Sequence, residues 1–265
     1  MRLFPAADPA PDGRPRFLVP AESPLFAGHF PGHPILPGIS QLALVSKEIG
    51  DQAIVEIPSL RLRSPVHPGD LLTARIDTVD TTVRFELSRE GEAVSSGTLR
   101  LAPSSDTSGG PAQLPEIDDT PGPYPAVEAL VPHALPARLV HSVQEVSAEG
   151  LTGVAMIPGE SPFVVEGQAP AFLGLEAAAQ GAAVLEALGR REGSAAAGPR
   201  IGYLVAIRGA RLAVGTLPAD RPFRIVLRLT GSAPPLSIYE VAVIGGSGET
   251  ELLRGSISTY LLPEG

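Results

Sequence analysis

Apolar and polar positions alternate over several short stretches of this chain: residues 59–63, 71–79, 83–101, 209–213, 223–229 and 237–260. A period of two marks half-buried antiparallel strands. Two segments follow another pattern. Residues 39–49 and 172 to about 190 read as helices, each opening just after a proline-containing turn, Pro37-Gly38 and Pro170-Ala171. The second, FLGLEAAAQGAAVLEALGR, is apolar around most of its first three turns, so it is expected to lie buried rather than on a surface. A buried helix followed by antiparallel strands implies a sheet wrapped around it.

This order of signals occurs twice. Ser23-Pro24-Leu25-Phe26 leads through a Gly/Pro-rich loop to the first helix, and Ser161-Pro162-Phe163-Val164 leads to the second. Downstream, Arg61, Pro68 and Asp70 match Arg211, Pro218 and Asp220 at a constant offset of 150. Residues 102–125, APSSDTSGGPAQLPEIDDTPGPYP, show neither period and are too long for an ordinary loop inside one domain. The organisation expected is therefore α+β made twice: a first domain over 1–101, a linker over 102–125 and a second domain over 126–265. Residues 245–248, Gly-Gly-Ser-Gly, read as a turn within the last hairpin.

Composition narrows the function. The chain has 265 residues, a net charge of −9 and a sequence pI near 5.1, which argues against a phosphate-binding surface as the main activity. Cysteine is absent, which removes disulfides, thiolate metal sites and cysteine nucleophiles. Asparagine is absent too, and Lys47 is the single lysine. Glycine and proline, 29 each, demand frequent turns. The N-terminal segment lacks the apolar core of a signal peptide and no apolar run reaches spanning length, so a soluble cytoplasmic protein is expected.

Two positions stand out chemically. In His29-Phe-Pro-Gly-His-Pro-Ile-Leu-Pro37-Gly38 the prolines and glycines forbid a helix, so His29 and His33 cannot form a helical zinc pair. Such a rigid loop instead fixes His29 beside the start of the next helix, where free N–H groups favour developing negative charge. A base beside an oxyanion donor is the minimum for removing a proton next to a carbonyl; the plainer reading is a histidine that satisfies a tight loop. Glu176 enters an apolar helix with Gln180 one turn on, so its carboxyl group loses hydration and suits a general acid, unless it lies on an exposed stripe or pairs with an arginine. His67, His133 and His141 have no ligand-like spacing, and nothing calls for a metal or cofactor.

The loop from His29 to Gly38 resembles the signature loop of hotdog-fold 3-hydroxyacyl-acyl-carrier-protein dehydratases. The second half is similar to the same superfamily through Val127-Glu-Ala-Leu-Val-Pro-His133, Pro170-Ala-Phe-Leu-Gly-Leu-Glu176-Ala-Ala-Ala-Gln180 and Ile201-Gly-Tyr-Leu. The resemblance implies a double hotdog, two antiparallel sheets each wrapped around a central helix, paired as a dimer within one chain. Members carry an acid fourteen positions after the loop histidine; here that position is Ala43. In the second half the proline spacing shrinks from thirteen to eight, the histidine loop is lost, and Glu176 falls on the acid position. Each half alone is incomplete, but family sites are built across a dimer interface, so His29 and Glu176 are expected to meet in one composite site with its reciprocal empty.

The implied reaction removes water from a 3-hydroxyacyl thioester on an acyl carrier protein, giving the trans-2-enoyl thioester in fatty-acid, polyene or polyketide biosynthesis. His29 is the base, Glu176 the acid, and Gly38 N–H the donor to the thioester oxygen. Phe30, Pro37 and Gln180 are expected to contact substrate, the acyl chain to lie between the two helices, and the acidic carrier to dock on Arg190, Arg191 and Arg200. Within the same chemistry stand enoyl isomerisation, hydration and thioester hydrolysis; outside it stands a module that binds a carrier or partner enzyme without turnover.

Overall fold

The structure is a computed structural model; it describes residues 3–262 apart from 51, 104–109, 113, 115, 194–198 and 246–249. The first half contains strands β1 (Ala6–Ala7) and β2 (Arg16–Leu18), helix α1 (Ser40–Ile49), and strands β3 (Ile54–Leu62), β4 (Leu71–Val79), β5 (Thr82–Arg89) and β6 (Glu92–Leu101). The second contains β7 (Val140–Ser147), β8 (Gly150–Ala155), β9 (Gln168–Pro170), α2 (Leu173–Gly193), β10 (Gly202–Leu212), β11 (Thr216–Pro218), β12 (Phe223–Ala233), β13 (Leu236–Gly245) and β14 (Thr250–Leu261). Both expected helices form within a few residues of the expected bounds.

Both long alternating stretches are hairpins, the second as expected and the first in place of one strand. Residues 83–101 fold back at Glu90-Gly91, both with positive φ. Residues 237–260 fold back between β13 and β14; Gly246, Ser247 and Gly248 of the expected turn lie outside the described residues.

The two expected sheets are one. The strand order is β1-β2-β4-β5-β6-β3-β10-β14-β13-β12-β8-β7, antiparallel at every pairing, with β9 and β11 as a separate pair. The halves join where β3 meets β10, with Leu60 opposite Ile207 and Ile57 opposite Ala210. All four are fully buried. The seam pairs the edge strand of one half with the edge strand of the other, so neither edge is left exposed there.

Helix α2 packs beneath β12, β13, β8 and β14. Its burial on almost every side follows from its Ala and Gly content: a Cβ on Gly174 would stand 2.8 Å from Val243, and one on Gly181 2.9 Å from Ile225 and Leu227. Small residues there let the helix approach the sheet. Helix α1 ends at Gly50, φ 80°, and buries Leu42, Leu44 and Val45. Residues of both halves form one continuous core. Part of the segment expected as a linker lies against the second half: Ala112 and Leu114 are buried, and the Val146 N–H donates to the Tyr124 hydroxyl. Among the described residues no helix is long and apolar enough to cross a membrane.

Candidate active site

The loop carrying His29 is built from short local bonds. The His29 N–H donates to Phe26 O, the His33 N–H to Phe30 O, and the Leu36 N–H to Val66 O at 2.8 Å, which ties the loop to the residues after β3. Gly28, φ 79°, brings this loop onto the second half. The Ala134 N–H donates to Gly28 O at 3.0 Å, and a Cβ on Gly28 would lie 2.1 Å from Ala134 O. No side chain fits there.

His29 Nδ1 lies 2.8 Å from the Ile35 carbonyl oxygen. A carbonyl only accepts, so Nδ1 carries the proton and Nε2 is left with a free lone pair. Burial holds His29 below the usual histidine pKa. The ring is therefore a neutral base at pH 7.

Glu176 lies in the first turn of α2 and is 7% exposed. Gln180, one turn on, holds it in place. The Gln180 Oε1 accepts from the Leu139 N–H at 2.8 Å, while its Nε2 donates to Ala137 O at 2.9 Å and to Glu176 Oε1 at 3.1 Å. The carboxyl group is thereby fixed to the backbone that leads into β7.

A third buried group, His133, completes the centre. Its Nε2 is 4.0 Å from Glu176 Oε1, its ring stands edge-on to His29 at 5.2 Å between centroids, and its Nδ1 has no partner among the described residues. Burial, reinforced by the nearby His29, pushes the His133 pKa well down. Potential ligand atoms of His29, His133 and Glu176 all lie within 4.8 Å of one another, so these three are also the residues that could hold a metal ion.

One cavity of about 100 Å³ contains all three. It reaches Gly38 at the start of α1 and continues along α2 past Ala179 and Ala183. The Gly38 N–H has no acceptor among the described residues, which leaves it free for an oxygen in the cavity. The sequence thus placed His29, Glu176 and Gly38 in one space, drawn from both halves.

Other expected positions fall differently. Phe30 does not line this cavity; its ring lies behind the site, 4.1 Å from His29 and 4.7 Å from His133 between centroids, because the loop turns it into the core. Pro37 borders a smaller apolar cavity on the far side of His29 and Glu176. Gln180 lines the main cavity, with its amide engaged by the backbone and by Glu176. Arg191 donates to Ala129 O and Arg200 to Leu262 O, so both brace their own half.

His133 is missed by spacing arguments because it comes from a loop 43 residues before Glu176; the signal available was its place in the Val127–His133 stretch. Among the described residues the reciprocal position holds no such centre: Val165 and Gln168 bond each other across the tight turn Glu166-Gly167, and α1 carries Ala43, which has no carboxylate, fourteen positions after His29.

A continuous antiparallel sheet over two central helices, with His29, His133 and Glu176 gathered at the junction of the halves, has the architecture of double-hotdog dehydratase domains. The dehydratase domain of PpsC from Mycobacterium tuberculosis, solved with C12:1-CoA, matches with a TM-score of 0.66 at 14% identity, covering 98% of both chains. The dehydratase domain of RzxB from Pseudomonas fluorescens matches with a TM-score of 0.66 at 13% identity, covering 99% of this chain and all of that one. These likenesses define the fold.

The family follows from the sequence. The model of ApeP-like dehydratases matches residues 125–264, more than half of the chain, and that of ApeI-like dehydratases matches residues 12–98. The chain belongs to the ApeP-like dehydratase family, with an ApeI-like unit fused before it. The 3-hydroxyacyl-[acyl-carrier-protein] dehydratase FabZ of Hydrogenobaculum sp. is 35% identical over 75 residues, 23% of this chain and 51% of that protein. FabZ of Aliarcobacter butzleri is 34% identical over 101 residues, 31% of this chain and 66% of that protein. The chain thus spans about half the length of the first of these relatives.

Proposed function

We propose that this chain dehydrates a 3-hydroxyacyl thioester carried on an acyl carrier protein, giving the trans-2-enoyl thioester, at a single site shared by its two halves. The observation that carries this reading is the convergence of His29 and Glu176 from different halves into one buried cavity. His29 Nε2 takes the α-proton; the electron pair moves toward the thioester carbonyl, whose oxygen is held by the Gly38 N–H. The Cβ–O bond then breaks as Glu176 delivers its proton to the departing hydroxyl, and water leaves. His29 ends protonated and Glu176 ionised, and transfer of one proton between them restores the starting state. The acyl chain follows the apolar wall of α2.

Mass spectrometry of a 3-hydroxyacyl-carrier protein tests this directly. Loss of 18 Da (about one water) is expected with the wild type and not with His29→Ala or Glu176→Gln, each removing a proton-transfer group worth roughly 10²–10⁴-fold. Water loss that survives both changes would refute the residue assignment. Carrier binding without water loss across several chain lengths would leave the non-catalytic binding module as the better reading.

A further inference from the structure

Gln41 is a second amide in the cavity, and its surroundings differ from those of Gln180. It lies in the first turn of α1, is 2% exposed, and lines the same cavity as His29, Gly38 and Glu176. Its Oε1 is fully buried without a partner, and its side chain takes part in no hydrogen bond among the described residues. Gln180 has all its capacity engaged by backbone and Glu176; Gln41 has both a donor and an acceptor free. A buried amide left so is costly unless something in the cavity completes it.

The position of Gln41 limits what that partner is. The Gln41 N–H bonds Gly38 O at 3.2 Å, so the Gln41 backbone lies about one helical turn, a rise of about 4.5 Å, beyond Gly38, and both residues line the cavity. If Gly38 holds the thioester oxygen, the next group with both an N–H and a C=O is the cysteamine amide of the pantetheine arm. That nitrogen lies roughly four bonds, or about 5 Å, from the thioester carbon in an extended arm. A primary amide with both functions free is the complement of such an amide, accepting its N–H and donating to its C=O.

We infer that Gln41 recognises the first amide of the pantetheine arm and so fixes the thioester along α1, with the acyl chain directed along α2. This inference rests on the proposed dehydratase reading, and it makes Gln41 a specificity residue for pantetheine thioesters, whether the arm belongs to coenzyme A or to a carrier protein.

The test compares two small substrates with the same 3-hydroxyacyl group: its N-acetylcysteamine thioester, which keeps the amide, and an S-alkyl thioester of similar length, which lacks it. The wild type is expected to favour the amide-bearing substrate by about tenfold in kcat/KM, chiefly through KM, and Gln41→Leu to abolish that preference. Gln41→Met, closest in length, gives a second reading if the leucine variant folds poorly. With coenzyme A and carrier-protein thioesters the variants are expected to lose the same factor, since both carry the amide. A preference that survives substitution, or a loss confined to one of the two carriers, would overturn the inference. Turnover of neither small substrate by the wild type, with carrier-protein thioester also untouched, would remove the dehydratase reading and this inference with it.

Discussion

Gln180 ties Glu176 to the backbone at Ala137 and Leu139, and that makes it the most sensitive supporting residue of the site. Gln180→Leu leaves the Leu139 N–H buried without an acceptor and lets the carboxyl group swing, so kcat should fall by roughly 10–100-fold, a cost of about 1–3 kcal/mol, with little change in KM. Steady-state kinetics beside a thermal melt checks this; unchanged kcat would show that Glu176 needs no such anchor. A second residue-scale expectation concerns pH. Burial lowers the pKa of both His29 and His133 from 6.5, so each is neutral in the folded state where the unfolded chain already binds protons. Their contribution to stability is complete above about pH 6.5 and is lost as the pH falls below it. The acid limb of kcat/KM, which requires neutral His29, should accordingly lie below pH 6.5; a limb above it would contradict the burial argument. At this scale the sequence disclosed His29 and Glu176 by their spacing within each half. It did not disclose His133 or Gln41, whose importance comes from what the fold sets opposite them, and it assigned Phe30 to substrate because a loop sequence does not say which way an aromatic ring turns.

The element on which the site depends is the His29 loop, docked through Gly28 onto Ala134 of the other half. Gly28→Ala places a methyl group against the Ala134 carbonyl and penalises the positive φ, so it should destabilise the protein by roughly 1–3 kcal/mol and abolish activity together. Differential scanning calorimetry with a turnover assay would read both; a variant as stable and active as the wild type would show that the loop does not need this contact. Helices α1 and α2 were legible because their apolar runs start at proline turns, and most strands because they alternate. Less legible was where an alternating stretch folds back: residues 83–101 keep their period across Glu90-Gly91, since a two-residue turn leaves the pattern almost unbroken. The shortened loop between Pro162 and Pro170 was visible as a deletion, and the tight turn at Glu166-Gly167 is its physical result.

For the whole molecule, the seam between β3 and β10 joins two copies of one plan into a single sheet; the first copy carries His29 but has Ala43 on its helix, and the second carries Glu176 but has no histidine in its shortened loop. A dimer of identical subunits would offer two sites; the proposed reading gives this fusion one. Calorimetric titration with a non-hydrolysable 3-hydroxyacyl-pantetheine analogue should therefore give one molecule bound per chain, and two would contradict the reading of the Glu166–Gln168 position as empty. The sequence revealed the duplication through its offset of 150 but not that the sheets fuse, because strand order across halves is a property of pairing rather than of period. The claim that matters most is that His29 and Glu176 work as one unit across that seam, and a double-mutant cycle tests it most directly. Single-turnover dehydration would be measured for the wild type, His29→Ala, Glu176→Gln and the double variant. If the two groups serve one site, the double variant will be scarcely slower than the worse single variant, as for other residues that act together. If the two losses multiply, the groups act independently and the composite site is wrong.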